Sequence, residues 1–239
     1  MNGHLLARVR FPLVVLFVFL IPAAARSQYE ESNGYEPSEI RMFTAGAEWQ
    51  DVAPRSTNTD SSAFRYTRIM PMVGFRQGSA EFTFGYTKFS ENNASHSSVF
   101  LGTLFTRELF LEGNPKSALI LPLVISANYT RTESGGVERN NFSIAAIGLG
   151  TGLGYRQTSR SVDASVGVEG IVHYALEGLS TGSGFSGAVI GELAFFFPDA
   201  WIGDGIGVGY RFRYQAWSMS EPKFNYRVIS HGPYIGISF

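Results

Sequence analysis

Glu169, Glu192, Arg211 and Arg213 are the residues whose types and spacing most readily support joint chemistry. They fall on the polar sides of three successive segments in which large apolar residues alternate with small or polar ones. Cross-strand pairing can therefore bring two carboxylates and two guanidiniums together. Such a set can line a pore and select ions by charge, or it can neutralise itself and fill a narrow space. The second reading is preferred, because an unpaired buried charge is costly. His96-Ser97-Ser98 places a nucleophile beside a base. Hydrolysis needs that pair held by an orienting group, and no acidic residue can be assigned to the role. Ser, Asn and His are also ordinary constituents of exposed turns. The chain has four histidines and no cysteine, and their spacing makes no metal-ligand pattern. The runs GLGTGLG (Gly148 to Gly154) and GDGIGVG (Gly203 to Gly209) do not fit G-x-G-x-x-G opening a helix. Their glycines recur every second residue, as they do where one face of a strand leaves room for large neighbours. No catalytic residue, metal or cofactor is expected.

The elements that must position these side chains are strands. Period-2 segments recur along the chain at about 40–50, 64–76, 80–89, 98–107, 117–130, 142–156, 161–174, 185–197, 204–217 and 224–239. Ala80, Phe82, Phe84, Tyr86 and Lys88 share one face against Glu81, Thr83, Gly85 and Thr87. Val162, Ala164, Val166, Val168, Gly170, Val172 and Tyr174 oppose Asp163, Ser165, Gly167, Glu169 and His173. Ile206, Val208, Tyr210, Phe212 and Tyr214 oppose a face of glycine and arginine. A soluble barrel would turn the polar set to water and fill it with Lys and Glu. Here charged residues are only 16% of the chain and lysine occurs only at Lys88, Lys116 and Lys223, well below the ~25–35% of a soluble surface. The arrangement suits lipid outside and a crowded polar lumen inside. The net charge of −1 gives no basic face for nucleic acid.

Arg8 and Arg10, the apolar run Phe11 to Ile21 and the small residues of PAAARSQ read as a secretory signal peptide cleaved after Ala25 or Ser27. The run is too short to span a bilayer, which takes ~20 helical residues. The division expected is signal peptide 1–27, flexible periplasmic leader 28–39 and barrel 40–239. With the N-terminus periplasmic, the odd-numbered connections (DVAPRSTNTDSS, SENNASHSS, RTESGGVERN, LEGLSTGSG, WSMSEPKF) face outward. The even-numbered ones should be short. QGS and RQTSRS are, whereas ELFLEGNPK and FPDAWIGD read as longer turns. Pro71, Pro122 and Pro233 fall within strands, where proline removes a ladder donor and usually marks a bulge. A bulge at Pro233 would turn His231 and Arg227 inward, away from the apolar face carrying Ile235.

The last residues, Tyr234-Ile235-Gly236-Ile237-Ser238-Phe239, alternate in strand register up to a bare aromatic. In this the chain resembles the small outer-membrane β-barrel superfamily, to which the outer membrane protein A transmembrane barrel belongs. The resemblance implies that Ile235, Ile237 and Phe239 act as the signal read by the outer-membrane assembly machinery. It also implies a cell-outer-membrane location, with lipid and lipopolysaccharide as surroundings. It is to the barrel alone, without the peptidoglycan-binding domain of some relatives. The expectation is an all-β, closed, antiparallel up-and-down transmembrane barrel of about ten strands, or alternatively eight. It should be monomeric, with Trp49, Tyr86, Tyr129, Tyr155, Tyr174 and Tyr214 as interfacial aromatics. Its role would be structural, adhesive or surface-protective and not enzymatic. The alternatives are a narrow channel for ions or small solutes and a rim-located protease or lipid-modifying hydrolase.

Overall fold

In the computed structural model, residues 40–58, 65–91, 94–114, 116–135, 142–177, 182–200 and 203–239 are described. The expected signal peptide and leader lie outside them. The alternating segments form ten antiparallel strands: β1 (Arg41–Pro54), β2 (Tyr66–Gln77), β3 (Ala80–Glu91), β4 (Ala94–Asn114), β5 (Ser117–Gly135), β6 (Phe142–Thr158), β7 (Asp163–Glu177), β8 (Ser183–Pro198), β9 (Gly205–Met219) and β10 (Tyr226–Ser238). Each pairs with its sequence neighbours, and β1 closes on β10 through Met42↔Ser238 to Pro54↔Tyr226. Closure gives every strand a partner on both sides over at least part of its length, which allows a strand protein to face an apolar medium.

The apolar set is outside. Leu149 and Val172 are 68% and 67% exposed, and Phe84, Val166, Val168, Tyr210 and Phe212 lie on the same outer wall. Their strand neighbours Gly150, Ile171, His173, Gly85 and Arg211 turn inward. The outer face also carries Trp49, Tyr86, Tyr155 and Tyr174 exposed and Tyr129 and Tyr214 half-buried. At the short-turn end, Phe43, Phe75 and Phe239 form a ring cluster with centroids 5.2, 5.1 and 6.5 Å apart.

Of three sequence expectations, two change and one stands. First, the segments read as SENNASHSS and ELFLEGNPK are mostly strand: β3 runs to Glu91 and β4 from Ala94 to Asn114. A hairpin arm that projects beyond the apolar band needs no apolar side chains, so polar composition there marks solvent and not chain reversal. Second, FPDAWIGD remains the longer turn at its end, with Asp199 and Gly203 both at positive φ. Third, no bulge occurs at the prolines. The one register shift between β4 and β5 lies at Phe110/Glu112. Each proline instead opens the ladder on one side without shifting it. β1–β10 pairing skips Ala47–Glu48 against Gly232–Pro233 while the register is kept. β5–β6 pairing skips Leu121–Pro122, and β2–β3 pairing stops beside Pro71, at Met72↔Gly85. His231 and Arg227 therefore stay on the outer face with Ile235. His231 is stacked between Trp49 and Tyr210 at 6.0 Å from each, with a 2.6 Å hydrogen bond between Nδ1 and the Tyr210 hydroxyl.

The lumen is stratified. At the loop end a buried cluster of Val52, Tyr66, Phe142, Ile144, Trp217, Met219, Phe224 and Tyr226 fills the mouth. Phe142 meets Trp217 and Tyr226 edge-on at 5.4 and 5.2 Å, a favourable aromatic geometry. The first and last connections lock over it. The Arg55 guanidinium donates to Trp217 O (2.9 Å), Asn225 Nδ2 donates to Thr57 Oγ1 (3.0 Å), and Met219 N–H donates to Asn225 Oδ1 (2.6 Å).

Candidate functional site

Toward the short-turn end, register alone makes two ion pairs. Arg76 stands directly opposite Glu81 across β2–β3, and Glu192 directly opposite Arg211 across β8–β9. Barrel closure then sets the pairs against each other. Arg211 Nη1 and Nη2 donate to both Glu81 oxygens at 2.5 and 2.9 Å, a fork-to-carboxylate arrangement. Arg76 Nη2 reaches Glu81 at 2.7 Å and Glu192 at 3.1 Å, and Arg211 Nη2 reaches Glu192 at 3.3 Å. The Tyr234 hydroxyl donates to Glu192 Oε1. Its ring lies over Gly209, where a Cβ would come within 2.4 Å of Tyr234 Cζ, so a side chain there would expel it. The layer contains two acids and two bases and is formally neutral. A cavity of about 30 Å³ beside it, touching Thr44, Arg76, Glu81, Arg211 and Tyr234, has room for about one water. A further pair, Arg156–Glu108 at 2.5 Å, lies between β6 and β4.

Of the four residues singled out in the sequence, Glu192 and Arg211 are in this layer. Glu169 and Arg213 also point inward but form no ion pair among the described residues. Both lie opposite the neutral Ile190, one on each side of β8. Glu169 Oε2 is buried without a hydrogen-bond partner, and the Arg213 guanidinium lies 4.5 Å from the centre of the Phe100 ring. Arg76, Glu81 and Tyr234 complete the layer and were not foreseen. A signal for two of them was present: the Gly78-Ser79 turn puts Arg76 and Glu81 opposite each other with lumen parity.

The middle of the lumen also holds a hydrogen-bonded polar cluster. His173 is buried with Ser126 Oγ at 3.3 Å and Asn128 Nδ2 at 3.4 Å from Nε2, and Ser186 Oγ at 3.3 Å from Nδ1. Gln215 Nε2 donates to Ser186 Oγ at 3.2 Å. Gly148, Gly150 and Gly152 lie against His173, Ile171 and Glu169 of β7, so the glycine run is lumen wall. His96 and Ser98 are not in a rim loop. Both lie within β4 and face inward, where His96 stacks on Phe89 at 5.1 Å and Ser98 Oγ is shared between Arg131 O and Thr132 Oγ1 at 2.9 Å. Among the described residues no group of three or more His, Asp or Glu could hold a metal ion.

The terminal Ile235, Ile237 and Phe239 point outward at the short-turn end, with Phe239 N–H donating to Arg41 O at 3.0 Å.

No family model matches the chain, and no curated protein sequence matches it. Among solved structures, the chain is similar to the translocator domain of the autotransporter NalP from Neisseria meningitidis, at 10% identity over 97% of this chain and 98% of that one, with a TM-score of 0.35. It is also similar to the outer membrane protease OmpT from Escherichia coli, at 7% identity over 87% and 99%, with a TM-score of 0.35. A third is the outer membrane protein OprG from Pseudomonas aeruginosa, at 12% identity over 86% and 99%, with a TM-score of 0.33.

Proposed function

We propose that this protein is an integral outer-membrane barrel with a sealed lumen, present as a monomer, whose role at the cell surface is structural, adhesive or surface-protective. The observation that carries the reading is the Arg76–Glu81–Arg211–Glu192 layer, in which all four charges are committed to one another. A selective pore keeps its lining charges available to passing ions. Here they neutralise themselves below a mouth filled by Trp217, Phe142 and Tyr226. The exposed apolar wall supports placement in lipid, and the short turns favour a periplasmic position for that end. The His96 ring, stacked on Phe89 inside the barrel, lends no support to a catalytic role at the rim.

Planar-bilayer recording on the refolded protein tests the reading. A bare baseline with only rare, unselective spikes is expected at moderate salt. Large, stable, ion-selective openings would replace it with the channel reading.

A further inference from the structure

One position in the wall is unlike the rest. Tyr66–Pro71 of β2 pair only with β1, and Tyr86–Glu91 of β3 pair only with β4. Above Met72↔Gly85 the two strands share no ladder. Pro71, which has no N–H to donate, stands at the point where the pairing ends. The slit runs from the level of Ile69 and Tyr86, exposed on the outer wall, toward the loop end. Trp49, one of the interfacial aromatics, lies directly opposite Ile69.

The inner side of the slit is closed by side chains and not by backbone. Tyr66 and Phe89 meet across it with centroids 4.7 Å apart, and the Arg68 guanidinium covers both rings at 4.8 and 5.4 Å. Arg68 is 6% exposed. Its Nε and Nη2 donate to the neutral Gln50 Oε1 at 3.0 and 2.7 Å, and Gln50 Nε2 donates on to Glu48 at 3.3 Å. Nη1 is buried with no hydrogen-bond partner, and Arg68 forms no ion pair among the described residues. A charged, buried donor is left without a partner just inside the break in the wall, behind the Tyr66 and Phe89 rings. Directly beneath, Met70, Met72 and Phe100 form a separate buried apolar cluster. Both methionine sulfurs press on Gly85, where a Cβ would lie 2.3 and 2.6 Å from them. Unbranched thioether side chains repack readily around an inserted chain.

We propose that the β2–β3 slit is a lateral binding site for an amphiphile with one anionic head group and an apolar acyl chain. The carboxylate or phosphate docks on Arg68 Nη1, and the chain displaces Met70 and Met72 to lie against Phe100. The site does not need an open lumen and is independent of the sealed-barrel reading. The same head-group chemistry can arrive as a free fatty acid or as a membrane lipid.

A diazirine-bearing palmitate added to the purified protein in zwitterionic nanodiscs tests the site. Crosslinked peptides are mapped by mass spectrometry after irradiation. Adducts are expected to concentrate on Met70, Met72, Phe89 and Phe100. They should fall about tenfold with the matching neutral alcohol and in Arg68→Met, the loss expected from one charge-assisted hydrogen bond. A second arm carries a photoreactive lysophosphatidylglycerol built into the disc. Labelling in that arm alone identifies membrane lipid as the source, and labelling by palmitate alone identifies the free acid. To separate loss of the site from loss of the fold, Ile69→Cys/Lys88→Cys keeps Arg68 and joins positions that would face each other if the ladder continued. Oxidation should abolish labelling and reduction restore it. Adducts spread evenly around the outer wall, no adducts at these peptides in either arm, or labelling indifferent to oxidation would overturn the proposal.

Discussion

Replacing Arg211 by methionine removes the fork on Glu81 at 2.5 and 2.9 Å and the 3.3 Å contact to Glu192, while roughly preserving side-chain length. Two carboxylates then share the single cation Arg76, at 2.7 and 3.1 Å. The side chains of Arg211 and Glu81 are 12% and 13% exposed, and those of Arg76 and Glu192 are 29% and 26% exposed, so water screens the excess charge only in part. Breaking one member out of a buried pair costs ~3–5 kcal/mol. The partial exposure of Glu192 places the expectation at the lower end, about 3 kcal/mol. Glu81→Gln alone leaves two cations with one acid and should lose roughly 2–3 kcal/mol by the same argument. The two changes together restore one cation to one acid. The double variant should therefore be no less stable than Arg211→Met alone, giving a coupling of about 2–3 kcal/mol against additivity. Reversible urea unfolding in lipid vesicles, followed by tryptophan fluorescence and by heat-dependent gel mobility, measures all four proteins. A double variant that loses the full sum of the single losses would show that the four charges do not act as one neutral set. The same result would remove the physical basis for a sealed lumen.

Trp217→Ala empties the centre of the loop-end cluster, where Phe142 packs edge-on. A loss of ~3–5 kcal/mol is expected in the same unfolding assay. Conductance should stay low, because the charged layer below is untouched. Deleting Phe239 removes one ring from the Phe43–Phe75–Phe239 cluster at the short-turn end. It should lower the amount reaching the outer membrane in cells while leaving detergent refolding nearly intact, as read by fractionation and by gel mobility. Normal membrane levels of the truncated protein would remove the assembly role from the terminal strand.

Much of the architecture was legible because it rests on local information. Residues such as Val166, Val168, Phe82 and Phe84 alternate with Gly167, Glu169 and Thr83. That alternation fixes strand conformation, the two faces and, with so few lysines, which face is turned outward. The ten segments and their order followed from it. Half of the charged layer was also within reach, since hairpin neighbours Glu192 and Arg211 oppose each other by register. The effect of the prolines is less legible. Whether Pro71 or Pro233 shifts a strand or leaves one side of the ladder unpaired depends on the other neighbour. β1 continues past Pro71 without a break and so holds its register.

The sequence by itself determined the alternating segments that become strands, the inside-out polarity of the wall and the residues available to the lumen. These are properties of residues two apart, within one strand. The tertiary structure decided which of those residues meet. Arg211 and Glu81 are 130 positions apart in the chain and on strands that are not neighbours. Only closure of the ring, with its particular strand tilt and stagger, sets them at one height. It also left Glu169 and Arg213 without an ion pair among the described residues and the β2–β3 slit beside Arg68, because what distant strands bring to one height is a sum of registers around the whole barrel and is written in no single segment.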